Sequence, residues 1–261
     1  MTLAPIVWLL LVSISTTEHL TTLPFEWIPD HLDLSNYRQL LSLADNSRGD
    51  LFLGALQNTM IVAFGATAVS LCVSVPAAWA FSRIRGRHAS LLYVVVATYM
   101  LPPVALIVPL FALLNAFDLL NTKLGLVLVD CSIVMPFMTW LLKSNFDNLP
   151  HEIEEAAFVD GAGMLAVLRK VTLPMAKPAL ATAILFAILL LWDEFFYAFI
   201  LTNDNRSQTL TVAIANLASG RVSDYGLLSA AGLLTALPPL IIGVLLQRAL
   251  VSGLAQGGVK G

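Results

Sequence analysis

Charged residues are scarce in this sequence of 261 residues: Asp, Glu, Lys and Arg make up 12% of it, against about 25% in an average soluble domain. Hydrophobic residues make up 58%, and the mean hydropathy is +0.82. Such a chain has too few charges to cover a globular core with a polar surface. The composition therefore excludes a soluble enzyme and a disordered chain, and it indicates an integral membrane protein.

Several kinds of site are also missing. With 14 Lys and Arg against 17 Asp and Glu, the net charge of −3 offers no basic surface to nucleic acid. Cys72 and Cys131 lie in apolar runs and do not form a disulfide framework of the secreted kind. The four histidines lack metal-ligand spacing, and neither a G-x-x-x-x-G-K-[ST] loop nor a G-x-S-x-G motif occurs. We therefore predict no catalytic residue, no metal site and no cofactor bound by this chain.

Membrane spans are identified from stretches with few or no charged residues, because about 20 apolar residues cross a ~30 Å hydrocarbon core. The predicted fold is all-α: a polytopic membrane protein that forms a single domain over residues 1–261, with no internal repeat and no soluble domain. Prolines in four of the spans predict kinked helices. The six predicted spans lie at about 1–17, 51–82, 89–117, 124–142, 178–202 and 225–247.

The first span is short and begins at Met1 with no basic residue before it. A signal peptide is the alternative, but it would need a basic n-region and a better cleavage site than Ser13-Ile14-Ser15. We expect a span that is trimmed at its cytoplasmic end, or a start codon placed too late.

The distribution of basic residues favours one orientation of the six spans. With both termini in the cytoplasm, nine Lys and Arg lie in inner segments and five in outer segments. We therefore predict cytoplasmic termini. The nine inner residues are Arg83, Arg85, Arg87, Lys143, Arg169, Lys170, Lys177, Arg248 and Lys260.

The longest inner segment, 143–177, carries the most informative pattern. Pro150 is suited to open a short helix, and acids in the first turn favour the positive end of the helix dipole. Ala156 and Ala157 extend the helix, and Gly161 supplies the bend that ends it. The sequence thus predicts two short helices joined at a glycine, in a loop over 150–174 between spans four and five.

The spacing of four features in this loop is specific. Glu155-Ala156-Ala157 is followed after three residues by Gly161, after nine more by Val171, and after one more by Leu173-Pro174. This pattern resembles the EAA loop of the permease subunits of binding-protein-dependent ABC importers, in which Ile is usual where Val171 stands. An amphipathic helix resting on the membrane is the alternative. The resemblance implies that the loop docks in a cleft of an ATPase subunit through Glu155, Ala156, Ala157, Asp160, Gly161, Leu173 and Pro174.

Two further stretches narrow the resemblance. Trp192-Asp193-Glu194-Phe195 and the tail Gly258-Val259-Lys260-Gly261 resemble the carbohydrate-uptake branch, and more closely the smaller permease of maltose-type systems. That branch usually has Asn where Asp193 stands. The resemblance implies half of the pore of a sugar importer in the bacterial cytoplasmic membrane, for a disaccharide, an oligosaccharide, a polyol or a related derivative.

The same resemblance implies the partners. They are a second homologous permease, an ATPase dimer that binds ATP and Mg²⁺, and an extracytoplasmic sugar-binding protein. The outer segments 18–50 and 203–224 are acidic and bear aromatic residues, and we expect them to face that binding protein; solvated loops are the alternative.

Acids within membrane spans are costly and are functional candidates by default. Asp130 and Asp193 both fall toward the outer face, where carboxylates can accept hydrogen bonds from sugar hydroxyls. Aromatic neighbours offer flat faces to a sugar ring. Alternatively, the acids meet interfacial water and the aromatics form the usual interfacial belt. The predicted substrate pathway comprises Asp130, Trp192, Asp193, Glu194, Phe195 and Tyr197.

An ion-coupled secondary transporter is the competing hypothesis, with Asp130, Asp193 and Glu194 as proton or sodium sites. Such a transporter would need an inverted repeat, which the sequence does not show. A membrane-embedded enzyme has no nucleophile–base arrangement to support it.

Overall fold

The computed structural model describes residues 4–16, 19–20, 31–45, 47–83, 90–219 and 224–257, which contain helices and no strand. Arg85, Arg87, the tail 258–261 and parts of both outer segments lie outside the described residues. In chain order the helices are α1 (Ala4–Ser13), α2 (Ser35–Leu40), α3 (Arg48–Arg83), α4 (Ser90–Tyr99), α5 (Pro103–Ala116), α6 (Lys123–Phe146), α7 (His151–Val159), α8 (Met164–Met175), α9 (Lys177–Trp192), α10 (Phe196–Leu201), α11 (Leu210–Ala218) and α12 (Tyr225–Gly257).

Three helices, α3, α6 and α12, are long and apolar enough to cross a membrane, and they coincide with the predicted second, fourth and sixth spans. Two bent pairs are further candidates: α4 with α5 at 95° and α8 with α9 at 81°. The described residues thus contain three candidate spans, or five if each bent pair is one span. Helix α1 has 10 residues, about 15 Å at 1.5 Å per residue, which is half of a bilayer core. The prediction of six spans stays a prediction.

The prolines differ in their effects. Pro102 has an extended conformation (φ −66°, ψ 133°) directly before α5, and Pro103 is the first residue of that helix, where a missing N–H breaks no hydrogen bond. They account for the 95° bend between α4 and α5 in the predicted third span, for which the prolines predicted a kinked helix. Other prolines lie within helices that continue through them: Pro76, Pro109, Pro136, Pro238 and Pro239.

The predicted fifth span, 178–202, is not one helix. Helix α9 ends at Trp192 and α10 begins at Phe196. The Glu194 carboxylate accepts hydrogen bonds from the Tyr197 N–H at 2.7 Å and the Ala198 N–H at 3.0 Å. These are N–H groups that a new helix leaves without an intrahelical partner. The helix break thus falls inside the predicted fifth span, where Glu194 caps a second helix. That 178–202 crosses the membrane as one span stays a prediction.

The described chain forms two compact units. The first comprises Met1–Ile61, Leu120–Lys123 and Glu194–Leu240, and the second comprises Val62–Leu119, Leu124–Asp193 and Ile241–Gly261. The assignment of the whole chain to a single domain stays a prediction.

In the second unit, α3 and α6 approach closely. A Cβ atom on Gly65 would lie 3.3 Å from a Val127 methyl, and the Ser74 hydroxyl donates to the Met135 carbonyl at 3.2 Å. Ala66 on α3 is fully buried. Small residues allow such approach between membrane helices, and polar side chains satisfy backbone groups there. The contact brings the C-terminal ends of α3 and α6 into position for the loop that follows α6.

In the first unit, Asn121 holds the loop between α10 and α11. Its backbone is left-handed (φ 55°), and its N–H donates to the Leu201 carbonyl at 3.0 Å. Its side-chain oxygen accepts hydrogen bonds from the Asn203 N–H at 3.0 Å and the Ser207 hydroxyl at 2.8 Å. Asn tolerates this conformation better than other residues with a side chain, which explains its presence here.

We expect Asn121→Leu to destabilise this loop by about 1–3 kcal/mol, because Leu is strained at positive φ and leaves both donors unsatisfied. Asn121→Gly keeps the backbone conformation and loses only the acceptor, so its effect should be smaller. Thermal unfolding of the detergent-solubilised protein and protease cleavage within 202–209 measure the difference. A leucine variant as resistant to protease as the wild type would contradict this account.

Candidate functional site

The loop over 150–174 begins with helix α7, which has well-defined ends. Pro150 precedes it in an extended conformation, and the first turn carries acidic residues. Gly161 has φ +82°, a left-handed conformation that glycine adopts without strain. The Gly161 N–H donates to the Phe158 carbonyl and the Ala162 N–H to the Ala157 carbonyl, both at 3.0 Å, which is the Schellman pattern of a helix C-terminus. Gly161 therefore ends α7, as predicted.

Glu154 on α7 is buried among hydrogen-bond donors. Its carboxylate accepts from Arg83 Nε at 2.7 Å and Nη2 at 2.9 Å, a bidentate ion pair. The Thr172 hydroxyl donates to the same carboxylate at 2.6 Å and the Trp79 indole N–H at 3.4 Å. The Glu154 side chain is 5% exposed and that of Arg83 15%. A single carboxylate thus joins α7 to the C-terminal end of α3 and to α8.

The Arg83 guanidinium extends this contact to α6. Its Nη1 donates to the Phe146 carbonyl at 3.0 Å and to the Ser82 hydroxyl at 2.7 Å. Ser82 in turn donates to Asp147 at 2.7 Å, and Lys143 forms an ion pair with Asp147 at 2.6 Å. We call Trp79, Arg83, Glu154 and Thr172 the Glu154 cluster.

The charge state of Glu154 follows from competing effects. Burial raises the pKa of a carboxyl group. Here the hydrogen bonds from Arg83 and Thr172, the positive charge of Arg83 and the Trp79 indole outweigh burial, so the pKa of Glu154 lies below its usual value. Glu154 is therefore ionised at neutral pH and is balanced by one guanidinium.

Thr172 reaches the cluster from an irregular helix. Residues Leu168–Thr172 form a π-helical turn within α8. Such turns are rare and occur mostly as single-turn bulges in α-helices, frequently at functional sites. Val167 and Leu168 are buried, whereas Arg169 and Lys170 point to the exposed side.

The opposite face of the loop is exposed. Glu155, Ala156 and Asp160 are exposed, and Ala157 is half-buried. Val159 is 89% exposed, and large apolar neighbours are exposed with it. Exposed apolar surface of this kind marks interaction sites. We define the α7 patch as Ile153, Phe158 and Val159 of α7 together with Met164 and Leu165 at the start of α8.

The structure places the predicted docking residues in two groups. Glu155, Ala156, Ala157, Asp160 and Gly161 lie together on or directly after α7. Leu173, which is half-buried, and Pro174, which is exposed, follow the π turn at the far end of α8. A groove of about 640 Å³ lies beside α7, and its lining includes Trp79, Arg83, Glu152, Glu155, Phe158 and Met164.

Sequence analysis missed Glu154. The segment 152–155 holds three glutamates, and residue type and spacing do not distinguish Glu154 from Glu152 or Glu155, both of which are exposed. Only its proximity to Arg83, 71 residues earlier in the chain, marks it.

The predicted substrate-pathway residues differ in their surroundings. Asp130 and Trp192, in the second unit, are buried, and Tyr197 in the first unit is buried as well. Asp193 is exposed at the end of α9, and Glu194 caps α10. Phe195 is 41% exposed and stacks on Phe199 with ring centroids 5.2 Å apart. Among the described residues, no group of three or more His, Cys, Asp and Glu is arranged to hold a metal ion.

Comparison with known proteins identifies the family. Residues 70–256 match the family described as binding-protein-dependent transport system inner membrane component. The sulfoquinovosyl glycerol transport system permease protein SmoH of Agrobacterium fabrum is 34% identical over 99% of this chain and 89% of its own length. The trehalose/maltose transport system permease protein MalG of Thermococcus litoralis is 31% identical over 99% of this chain and 92% of its own.

A solved structure agrees with these matches. A chain of a bacterial ABC transporter involved in the import of the acidic polysaccharide alginate superposes with a TM-score of 0.78 and 26% identity. The match covers 95% of this chain and 90% of that one. The predicted resemblance to carbohydrate-uptake permeases of the maltose type is confirmed. The chain belongs to the family of binding-protein-dependent transport system inner membrane components and is a multi-pass membrane permease subunit.

Proposed function

We propose that this chain forms half of the translocation pathway of an ATP-driven sugar importer and docks to a separate ATPase dimer through the exposed face of α7. One observation carries the proposal: α7 is anchored by the buried Glu154 cluster, while Glu155, Asp160 and the α7 patch beside it are exposed. A helix held in this way offers a preformed surface to a partner, which reduces the ordering cost of binding.

The chemistry of that face suits a protein interface. The α7 patch is apolar and loses water on docking, which stabilises the complex. Ala156 is small enough to let a partner's backbone approach, and Glu155 is available for a basic group of the ATPase. The ATPase binds ATP and Mg²⁺. This chain supplies the surface that the ATPase contacts and moves.

The remaining parts of the assembly follow from the same proposal. Both termini lie in the cytoplasm of a bacterium, so that the loop 150–174 faces the ATPase and the chain resides in the cytoplasmic membrane. A second homologous permease completes the pore, and an extracytoplasmic sugar-binding protein delivers the substrate to the outer segments. Family membership supports this assembly over an ion-coupled secondary transporter.

The substrate class is a disaccharide, an oligosaccharide, a polyol or a related derivative. The support is the printed function of relatives such as the sulfoquinovosyl glycerol and trehalose/maltose permeases. The exposed Asp193 carboxylate is able to accept hydrogen bonds from sugar hydroxyls, and the stacked Phe195 and Phe199 offer an aromatic face. Uptake assays over a panel of such sugars, with the binding protein present and absent, identify the substrate.

Co-purification of the ATPase tests the docking proposal. We expect Glu155→Lys to release the ATPase from the solubilised complex, because removing one partner of an interfacial charge pair costs about 2–5 kcal/mol. Glu152→Lys, an equal charge change at an exposed position of the same helix, is the matched control and should retain more ATPase. Transport by the wild-type chain alone, driven only by an ion gradient, would contradict the proposal.

A further inference from the structure

The Glu154 cluster has a geometry that docking alone does not require. Its carboxylate and guanidinium engage α3, α6, α7 and the π turn of α8 at one point, through bonds of 2.6–3.4 Å. Glu155 and Val159, which a partner would contact, are exposed on the same helix. Glu154 and Glu155, adjacent in sequence, lie about 100° apart around the helix axis, so that one is buried and the other exposed.

The cluster is also the described side-chain connection by which a force on α7 reaches the inner ends of α3 and α6. Bidentate pairing fixes the orientation of the carboxylate as well as its distance, unlike a contact to a single flexible ammonium group. Arg83 and Trp79 restrain the carboxylate from α3, and the Thr172 hydroxyl restrains it from α8. A carboxylate held from three directions cannot rotate without breaking several bonds at once.

We infer that Glu154 is a positioning residue that locks α7 to the inner ends of α3 and α6, so that movement of the docked ATPase is transmitted to the pore instead of being absorbed by the loop. This inference rests on the proposed function. It separates two tasks within one short helix: Glu155 and the α7 patch hold the partner, and Glu154 transmits its movement. Energetic coupling between distant sites requires a physically connected element of this kind.

The test uses the complete complex with Glu154→Gln, which keeps the shape of the side chain but removes its charge. Thr172→Val, which removes one donor without leaving a buried charge, serves if Glu154→Gln folds poorly. Both variants should bind the ATPase in wild-type amounts and keep basal ATP hydrolysis. Sugar uptake, and the stimulation of hydrolysis by the loaded binding protein, should fall by about 5–150-fold, the usual range of coupling between two sites, and less for Thr172→Val. Glu152→Gln, at an exposed acid in the same turn, is the control and should change neither.

A second readout needs no ATPase. Hydrogen–deuterium exchange of the solubilised chain should rise in 151–159 for Glu154→Gln and Thr172→Val and stay unchanged for Glu152→Gln. Unchanged exchange, or wild-type uptake in a variant with raised exchange, overturns the inference. Loss of the ATPase from Glu154→Gln to the same extent as from Glu155→Lys also overturns it, since Glu154 would then act in docking. Failure of the wild-type chain to bind an ATPase would instead refute the proposed function, and the exchange measurement would still decide whether the lock exists.

Discussion

Replacing Arg83 with methionine is expected to destabilise the protein by about 3–5 kcal/mol at neutral pH, because it leaves the buried Glu154 carboxylate without its counter-charge. The methionine fills a similar volume but cannot donate to Glu154, Ser82 or the Phe146 carbonyl. Thermal or denaturant unfolding of the detergent-solubilised chain measures the effect. Arg169→Met removes an exposed arginine from α8 and is the matched control, with an expected change within about 0.5 kcal/mol.

The pH dependence of the difference in stability between the wild type and Arg83→Met tests whether the charge of Glu154 causes it. The pKa of Glu154 is lowered in the folded wild type, so the stability it contributes is present above the unfolded glutamate pKa of about 4.3 and is lost as the pH falls through the folded pKa. In the methionine variant, burial without a counter-charge raises the pKa of Glu154, and protonation relieves the penalty. The two proteins should therefore differ most at neutral pH and converge as the pH falls toward about 4. A difference that stays constant with pH would show that Arg83 acts by packing alone.

Replacing Gly161 with proline is expected to cost about 3 kcal/mol and to abolish transport. Proline fixes φ near −65°, whereas Gly161 has φ +82°, and it removes the N–H that donates to the Phe158 carbonyl. The C-terminal turn of α7 would have to unwind, which displaces Asp160 and Val159 from the exposed face. Sugar uptake in vesicles and ATPase co-purification report the loss.

Two matched variants separate backbone conformation from bulk. Gly161→Asn should retain much of the activity, because Asn tolerates the left-handed region. Gly163→Ala should be neutral: both glycines have open space where a Cβ would lie, but Gly163 has φ −73°, which alanine adopts freely. If Gly163→Ala is as harmful as Gly161→Pro, the positive φ of Gly161 is not the cause.

The features that were predicted correctly depend on local rules. A chain with so few charged residues cannot cover its surface for water, so its composition alone identified a membrane protein. Pro102 and Pro103 break a span because proline lacks a donor, and Gly161 ends α7 because glycine adopts positive φ. Each of these effects acts within a few residues, so all the chemical groups that take part are neighbours in the sequence.

The omissions have non-local or competing causes. The fifth span was placed at 178–202 from hydropathy, which does not show that a new helix begins after Glu194 and is capped by its carboxylate. Asn121 was not singled out, because its partners lie 82 and 86 residues further along the chain. The place of Asp130 on a substrate pathway was inferred from its depth in a span and stays a prediction, because only the packing of helices determines which face of α6 is buried.

By itself, the sequence determined the membrane class, the family-specific loop and the glycine that ends its first helix, since these follow from composition and from short-range stereochemistry. Only the tertiary structure decided which of the neighbouring acids is buried. Glu154 and Glu155 have the same side chain, and the difference between them is created by Arg83, brought across 71 residues by the packing of α3 against α6. A pattern of neighbouring residues cannot show that Arg83 and Glu154 come into contact.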